Sequence, residues 1–284
     1  PERPGGGHGP LPDRSRLLID RTIFMRIPTI LLLACTPATA FAQEAQSEAR
    51  PGWEVSSGVE YESGDYGTGT DIEIVSVPSR LGMSIGRVQL VAAIPYYRIE
   101  GPADVIPGNV LGVPILPQPQ PDADNATRKG WGDLELGAAY ALPVETVNLS
   151  LSGSVKLPTA ENGLGTGEID YTIGAELSKA LSDKIIPFAS VSYTLPGSPD
   201  GIVVQDRYAA TGGVATWLGG KAQLYASYRY AENPDAVATS DQRVQTGLNA
   251  WVGSGLSLGV YGSAGLSKGA PDQSVGLRIG LALD

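Results

Sequence analysis

From Trp53 onward, apolar and polar residues alternate along stretches of about ten residues, and each stretch ends in a break. In 133–142, one set of positions holds Leu134, Leu136, Ala138, Tyr140 and Leu142, while the other holds Asp133, Glu135, Gly137, Ala139 and Ala141. In 147–157, Leu149, Leu151, Val155 and Leu157 alternate with Asn148, Ser150, Ser152, Ser154 and Lys156. Side chains on a strand point to opposite faces with period two, so each stretch predicts a strand with one apolar and one polar face. A tilted strand needs about 9 to 11 residues to cross a hydrocarbon layer, whereas soluble strands average about 5 or 6.

The same reading predicts twelve strands, over 53–61, 70–80, 88–99, 132–142, 147–157, 170–181, 185–195, 207–217, 222–230, 241–252, 256–265 and 273–283. The connectors at 82–87, 143–146, 182–184, 218–221 and 253–255 are short. Those at 101–131, 158–169, 196–206 and 231–240 are longer. An even strand number with alternating short and long connectors predicts an all-β fold, a transmembrane antiparallel up-and-down β-barrel of about twelve strands. Its short turns are periplasmic and its longer loops extracellular. A soluble β-sandwich would share the alternation and the turn spacing. The strand length, the connector asymmetry, and aromatics near strand ends (Trp53, Tyr61, Tyr97, Tyr140, Tyr171, Tyr193, Tyr228, Tyr230) favour the membrane barrel.

Composition fits many short strands, with 37 Gly, 22 Pro and only 18% charged residues among 284. The Pro/Gly/Arg-rich segment 1–24 reads as upstream sequence before an initiator at Met25. Residues 25–42 read as a signal peptide: Arg26 supplies a basic start, 27–35 an apolar run, and Ala40-Phe41-Ala42 a cleavage motif, with the cut between Ala42 and Gln43. That apolar run is far shorter than the roughly 20 residues a spanning helix needs. Cys35 after Leu32-Leu33-Ala34 offers a lipoprotein-type alternative that would leave the Ala42 site unused. Residues 43–52 would then form a periplasmic lead-in and 53–284 the barrel.

Cleavage removes His8 and Cys35, the only residues of their kinds. It also removes five of 20 Lys/Arg and three of 30 Asp/Glu, leaving a formal charge of −12. Such acidity excludes nucleic acid as a partner, because phosphates require a basic surface. Without His there is no Ser/His/Asp chemistry, and nothing sets Lys156 or Glu176 apart from ordinary lumen charges, so no enzymatic activity is expected. No cofactor or metal is expected either. The glycine run Gly163-Leu164-Gly165-Thr166-Gly167 lies between two strands with no helix after it, which makes it turn chemistry and not a phosphate cradle. Asp122 and Asp124 lack the spaced oxygen ligands of a cation site, and Asn125-Ala126-Thr127 is a glycosylation triplet of the kind that arises by chance.

If the apolar set of each strand faces lipid, the opposite set lines a lumen. Inward acids are then expected at Glu54, Glu60, Asp71, Glu73, Asp133, Glu135, Asp170 and Glu176, and inward bases at Arg207, Arg229, Arg243 and Arg278, with Lys156 a base among the acids. Acids on early strands and bases on late ones predict a transverse field across the pore; the alternative is that the charges pair locally and fill space. Inward Gly and Ser predict a thin wall and a narrow pore. The connector 101–129 carries six prolines, yet also Val105, Ile106, Val110, Leu111, Val113, Ile115 and Leu116, an apolar content that predicts a plug or mouth loop. The expected function is passive or gated passage of small solutes; a structural or surface-interaction barrel without transport is the rival.

Several short pieces carry a family likeness: Val77-Pro78-Ser79-Arg80-Leu81-Gly82, Ile94-Pro95-Tyr96, Gly130-Trp131-Gly132-Asp133, Lys156-Leu157-Pro158-Thr159, and Leu164-Gly165-Thr166-Gly167 followed by Asp170. In their order and spacing the chain resembles the bacterial outer-membrane proteins labelled transporters of the meta-pathway of phenol degradation. That resemblance implies a channel-like protein admitting small aromatic or hydrophobic compounds. It also implies contact with outer-membrane lipid and lipopolysaccharide, and assembly by the barrel-assembly machinery. The chain departs from such barrels in ending on Asp284 instead of an aromatic residue.

Overall fold

A computed structural model describes residues 52–67, 69–102, 105–106, 125–198, 204–233, 239–253 and 255–283. The signal-peptide region, the Ala42–Gln43 cleavage site, and Val110, Leu111, Val113, Ile115 and Leu116 of the connector lie outside these residues.

Thirteen strands form one antiparallel sheet: β1 (Gly52–Gly64), β2 (Ile72–Ile85), β3 (Val88–Pro102), β4 (Asn125–Trp131), β5 (Leu134–Ala141), β6 (Asn148–Leu157), β7 (Asp170–Ser178), β8 (Ile185–Leu195), β9 (Arg207–Leu218), β10 (Ala222–Ala231), β11 (Asp241–Val252), β12 (Leu256–Gly265) and β13 (Gln273–Leu283). Apart from β4 and β5, which both pair with β3, consecutive strands pair with each other, and β1 pairs with β13 from Trp53↔Leu283 to Ser63↔Gln273, which closes the barrel. Closure joins the first and last strands, so that the twelve staves form a continuous wall.

Both β4 and β5 pair with β3: β4 with its distal part (Tyr96↔Trp131 to Pro102↔Asn125), β5 with its proximal part (Val88↔Tyr140 to Ala93↔Glu135). Together they make one interrupted stave, so the barrel has twelve. The fourth strand expected over 132–142 is β5, and β4 is an additional strand inside the segment read as connector. The interruption has a local cause. Pro95 on β3 has no amide hydrogen to donate, and its carbonyl accepts from Gly132 N at 2.8 Å. Asp133 leaves the ladder, and its Oδ1 accepts from Thr159 N and Ala160 N, both at 2.9 Å, fixing the start of the β6–β7 connector. Gly132 is required there, since a Cβ would stand 2.6 Å from Tyr97 Cε2 and 2.8 Å from Pro95 Cγ.

The short turns sit at one end. Ile85 pairs with Val88 across Gly86-Arg87, and Leu218 with Ala222 across Gly219-Gly220-Lys221, where φ of 65° and 76° put both glycines in the left-handed region. Burial is inverted relative to a water-soluble sheet protein. Ile173 is 64% and Leu277 57% exposed on the outer face, while Glu176 and Arg243 are each 3% exposed on the inner one. A continuous apolar exterior of this size calls for hydrocarbon as solvent. Outward aromatics gather toward the long-connector end, where Tyr193 and Tyr208 stack at 4.6 Å between ring centroids and Tyr96 meets Trp131 edge-on at 5.3 Å. Trp53 and Tyr140, both exposed, mark the opposite end.

Candidate functional site: the barrel interior

Strand parity assigns the inner wall, and cross-strand register shows which inward residues meet. Three layers result.

At the long-connector mouth, Ile72 and Ile74 of β2 and Tyr97 and Ile99 of β3 form an apolar inner patch. Three connectors fold onto it, bringing Tyr66, Val105 and Leu164, each 2% exposed, with Ala160 at the margin. Arg128, on the inner face of β4 opposite Ile99, ties two of these connectors together by donating to Gly163 O at 2.9 Å and to Val105 O. Burial and the nearby Glu62 push the Tyr66 phenol well above its usual range, so it stays neutral. Val105 packs against this patch, and Ile106 is half-buried.

This patch also overturns part of the inward set. Asp71 and Glu73 are exposed and share the outward parity of Val75 and Val77. Alternation alone places them inward, because it sets Ile72 and Ile74 against lipid. The two isoleucines instead find apolar partners inside the mouth, and the acids beside them face outward beyond the apolar belt.

Below the mouth lies a charged layer. In register around the wall stand Arg80 (β2), Ala93 (β3), Glu135 (β5), Lys156 (β6) and Asp170 (β7). Lys156 Nζ lies 3.1 Å from Asp170 Oδ2, 3.3 Å from Asp133 Oδ2 and 3.0 Å from Thr166 Oγ1. The small side chain of Ala93 lets Arg80 face Glu135, which also bonds Ser154, and Arg80 faces Glu54 on its other side. Arg207 faces Asp170 and Glu135. On the opposite wall, Arg243 binds Asp241 with two bonds of 2.9 and 2.7 Å and Glu62 at 2.9 Å, and Arg229 Nε lies 3.7 Å from Asp241. Glu60 bonds Tyr261, and the Arg278 guanidinium sits 5.5 Å from the centre of that ring. Arg80, Glu62 and Asp241 were missing from the inward set expected from sequence. Arg80 and Asp241 place a counter-charge on each side, so the expected transverse separation of sign breaks into local networks.

Deeper still, inward aromatics alternate with glycine along one register row: Ala215, Tyr225, Gly247, Tyr261, Gly276, Glu60. Each tyrosine lies flat over its glycine, because a Cβ on Gly247 would stand 2.5 Å from Tyr225 Cε1 and one on Gly276 2.2 Å from Tyr261 Cζ. Phe188 covers Gly213 in the same manner and packs with Ala215, Tyr225 and Tyr261. Gln245 Nε2 donates to Tyr225 Oη at 2.7 Å. These inward glycines are ring seats and not openings in the wall. Near the short-turn end, Trp217 and Trp251 lie 5.2 Å apart.

Glu176 stands apart from every network. It faces inward between Ser150 and Ser190, and both carboxylate oxygens are buried without a hydrogen-bond partner.

No family model matches the chain, and no curated protein matches it. Among solved structures, an outer-membrane channel from Pseudomonas putida F1 aligns with a TM-score of 0.66 at 14% identity, covering 85% of this chain and 98% of that one. The translocator domain of the autotransporter NalP from Neisseria meningitidis aligns at 0.48 and 11% identity, over 84% and 90%. The first of these carries the fold, a closed twelve-stave barrel of the outer-membrane type.

Proposed function

We propose that this chain is an outer-membrane channel through which small solutes cross by passive, gated diffusion. The observation that carries the reading is a charged and hydroxyl-bearing interior enclosed by an apolar, lipid-facing exterior, with the mouth covered by side chains from three connectors. Twelve staves lie between the filled eight-stranded barrels and the open channels of about 16 to 18 strands, a size suited to a narrow pore. Delivery would use the signal peptide at 25–42, cut between Ala42 and Gln43, followed by insertion through the barrel-assembly machinery beside lipid and lipopolysaccharide.

The apolar mouth patch followed by charged walls and tyrosines suits a solute with an apolar body and a polar edge. This agrees with the resemblance to phenol-pathway transporters, so small aromatic compounds are the solute class to try first. Locally paired charges also favour a second reading, a structural barrel without transport. Reconstitution in a planar bilayer decides between them: a channel gives discrete conductance steps that candidate aromatics modulate, and a structural barrel gives none.

A further inference from the structure

The other inward carboxylates among the described residues each have a cationic or hydroxyl group beside them, although one oxygen of Glu135 is also buried without a hydrogen-bond partner. Lys156 serves Asp133 and Asp170, Arg243 serves Asp241 and Glu62, Tyr261 serves Glu60, Ser154 serves Glu135, and Arg80 faces Glu54. Glu176 differs. It is 3% exposed, neither oxygen accepts a hydrogen bond, and it takes part in no ion pair among the described residues. A bare carboxylate in such a place is strongly disfavoured, so either a proton or a bound cation neutralises it.

The immediate neighbours define what fits. Ser150 on β6 and Ser190 on β8 are directly opposite Glu176 in the two ladders, and they are 2% and 4% exposed. Directly opposed residues hold their Cβ atoms about 4.5 to 5.5 Å apart, so both hydroxyls can reach the space over the carboxylate. Neither is spent on a bond to it. The resulting donor set is one carboxylate with two hydroxyls, all hard oxygen. Its net charge of one unit is neutralised by a single positive charge. No cluster of three or more His, Cys, Asp or Glu side chains occurs among the described residues, as a dedicated divalent or transition-metal site would require.

We propose that Glu176, Ser150 and Ser190 form an occluded binding site for a monovalent cation, an alkali ion or ammonium, on the inner wall of the barrel. The inference uses the closed interior alone and does not depend on conduction.

Thallium(I), a heavy analogue of potassium, is the probe. Refolded full chain in detergent, crystallised with a thallium(I) salt, should show an anomalous peak beside the Glu176 carboxylate, displaced by excess potassium. An ammonium salt competing equally would identify the site as one for either cation, and potassium competing alone would restrict it to alkali ions. Glu176→Gln keeps the shape and removes the charge, and should weaken thallium binding by about tenfold or more. Ser150→Ala with Ser190→Ala should weaken it while leaving the carboxylate in place. No peak at Glu176 in the wild-type barrel would overturn the proposal and leave a protonated carboxyl as the account. A peak that persists in Glu176→Gln would overturn it too.

Discussion

Tyr261 on β12 lies directly across Gly276 on β13, so close that any side chain at 276 would occupy the ring's position, 2.2 Å from Cζ. The glycine is therefore the seat that lets a tyrosine lie along the wall, where its hydroxyl meets Glu60 and its face meets Arg278. Gly276→Ala should destabilise the barrel by about 1 to 3 kcal/mol through overpacking. Urea unfolding in lipid vesicles measures this. The relation also predicts that Gly276→Ala combined with Tyr261→Ala recovers part of the loss, because the clash needs both side chains.

The Lys156 network gives a second expectation. Removing Lys156 by Lys156→Met leaves Asp133 and Asp170 facing each other in a buried site, at a cost of about 3 to 5 kcal/mol. Neutralising the acids as well, with Asp133→Asn and Asp170→Asn, should restore much of that stability in the same unfolding assay. Equal stability of the single and triple variants would contradict the pairing.

The mouth predicts a change in flow with little change in stability. Arg128 holds Gly163 O and Val105 O, so Arg128→Ala should loosen the connectors over the Ile72 and Tyr97 patch and raise conductance or antibiotic leakage. Permeability assays on cells carrying wild type and variant, matched for folded barrel, measure this.

The inside-out assignment is tested by Ile173→Arg against Glu73→Arg. Ile173 is an outward residue within the apolar belt, and an arginine at the bilayer midplane costs about 2 to 4 kcal/mol, falling to about 0 to 1 near the interface. Glu73 is outward but beyond that belt, so arginine there should be nearly neutral. The two effects come from the same unfolding measurement.

How far the sequence could be read depended on what surrounds each strand. On β5 and β6 the alternation of Leu134, Leu136 and Tyr140 with Glu135 and Ser150 is set by lipid on one side and a polar interior on the other, so pattern and structure agree. On β2 the rule fails locally, because Ile72 and Ile74 meet apolar side chains that arrive from distant connectors, and pattern alone cannot see those contacts. Strand β4, Asn-Ala-Thr-Arg-Lys-Gly-Trp, was concealed because it pairs with the distal part of β3, beyond the apolar belt, where neither face needs to be apolar. The inward charges were mostly legible from parity, but their partners were not. Asp241 between Arg229 and Arg243, and Arg80 across Ala93 from Glu135, meet through strand register, which a list of alternating positions leaves open.

The central claim, a solute path through a charged barrel interior, is tested most directly by single-channel recording of the refolded chain in a planar bilayer. Discrete conductance steps are predicted, together with a shift of reversal potential toward cations when Arg229, Arg243 and Arg278 are all replaced by Gln, since Asp241, Glu62 and Glu60 then lose their counter-charges. A barrel that is demonstrably folded yet electrically silent, and stays silent in Arg128→Ala, would contradict the account.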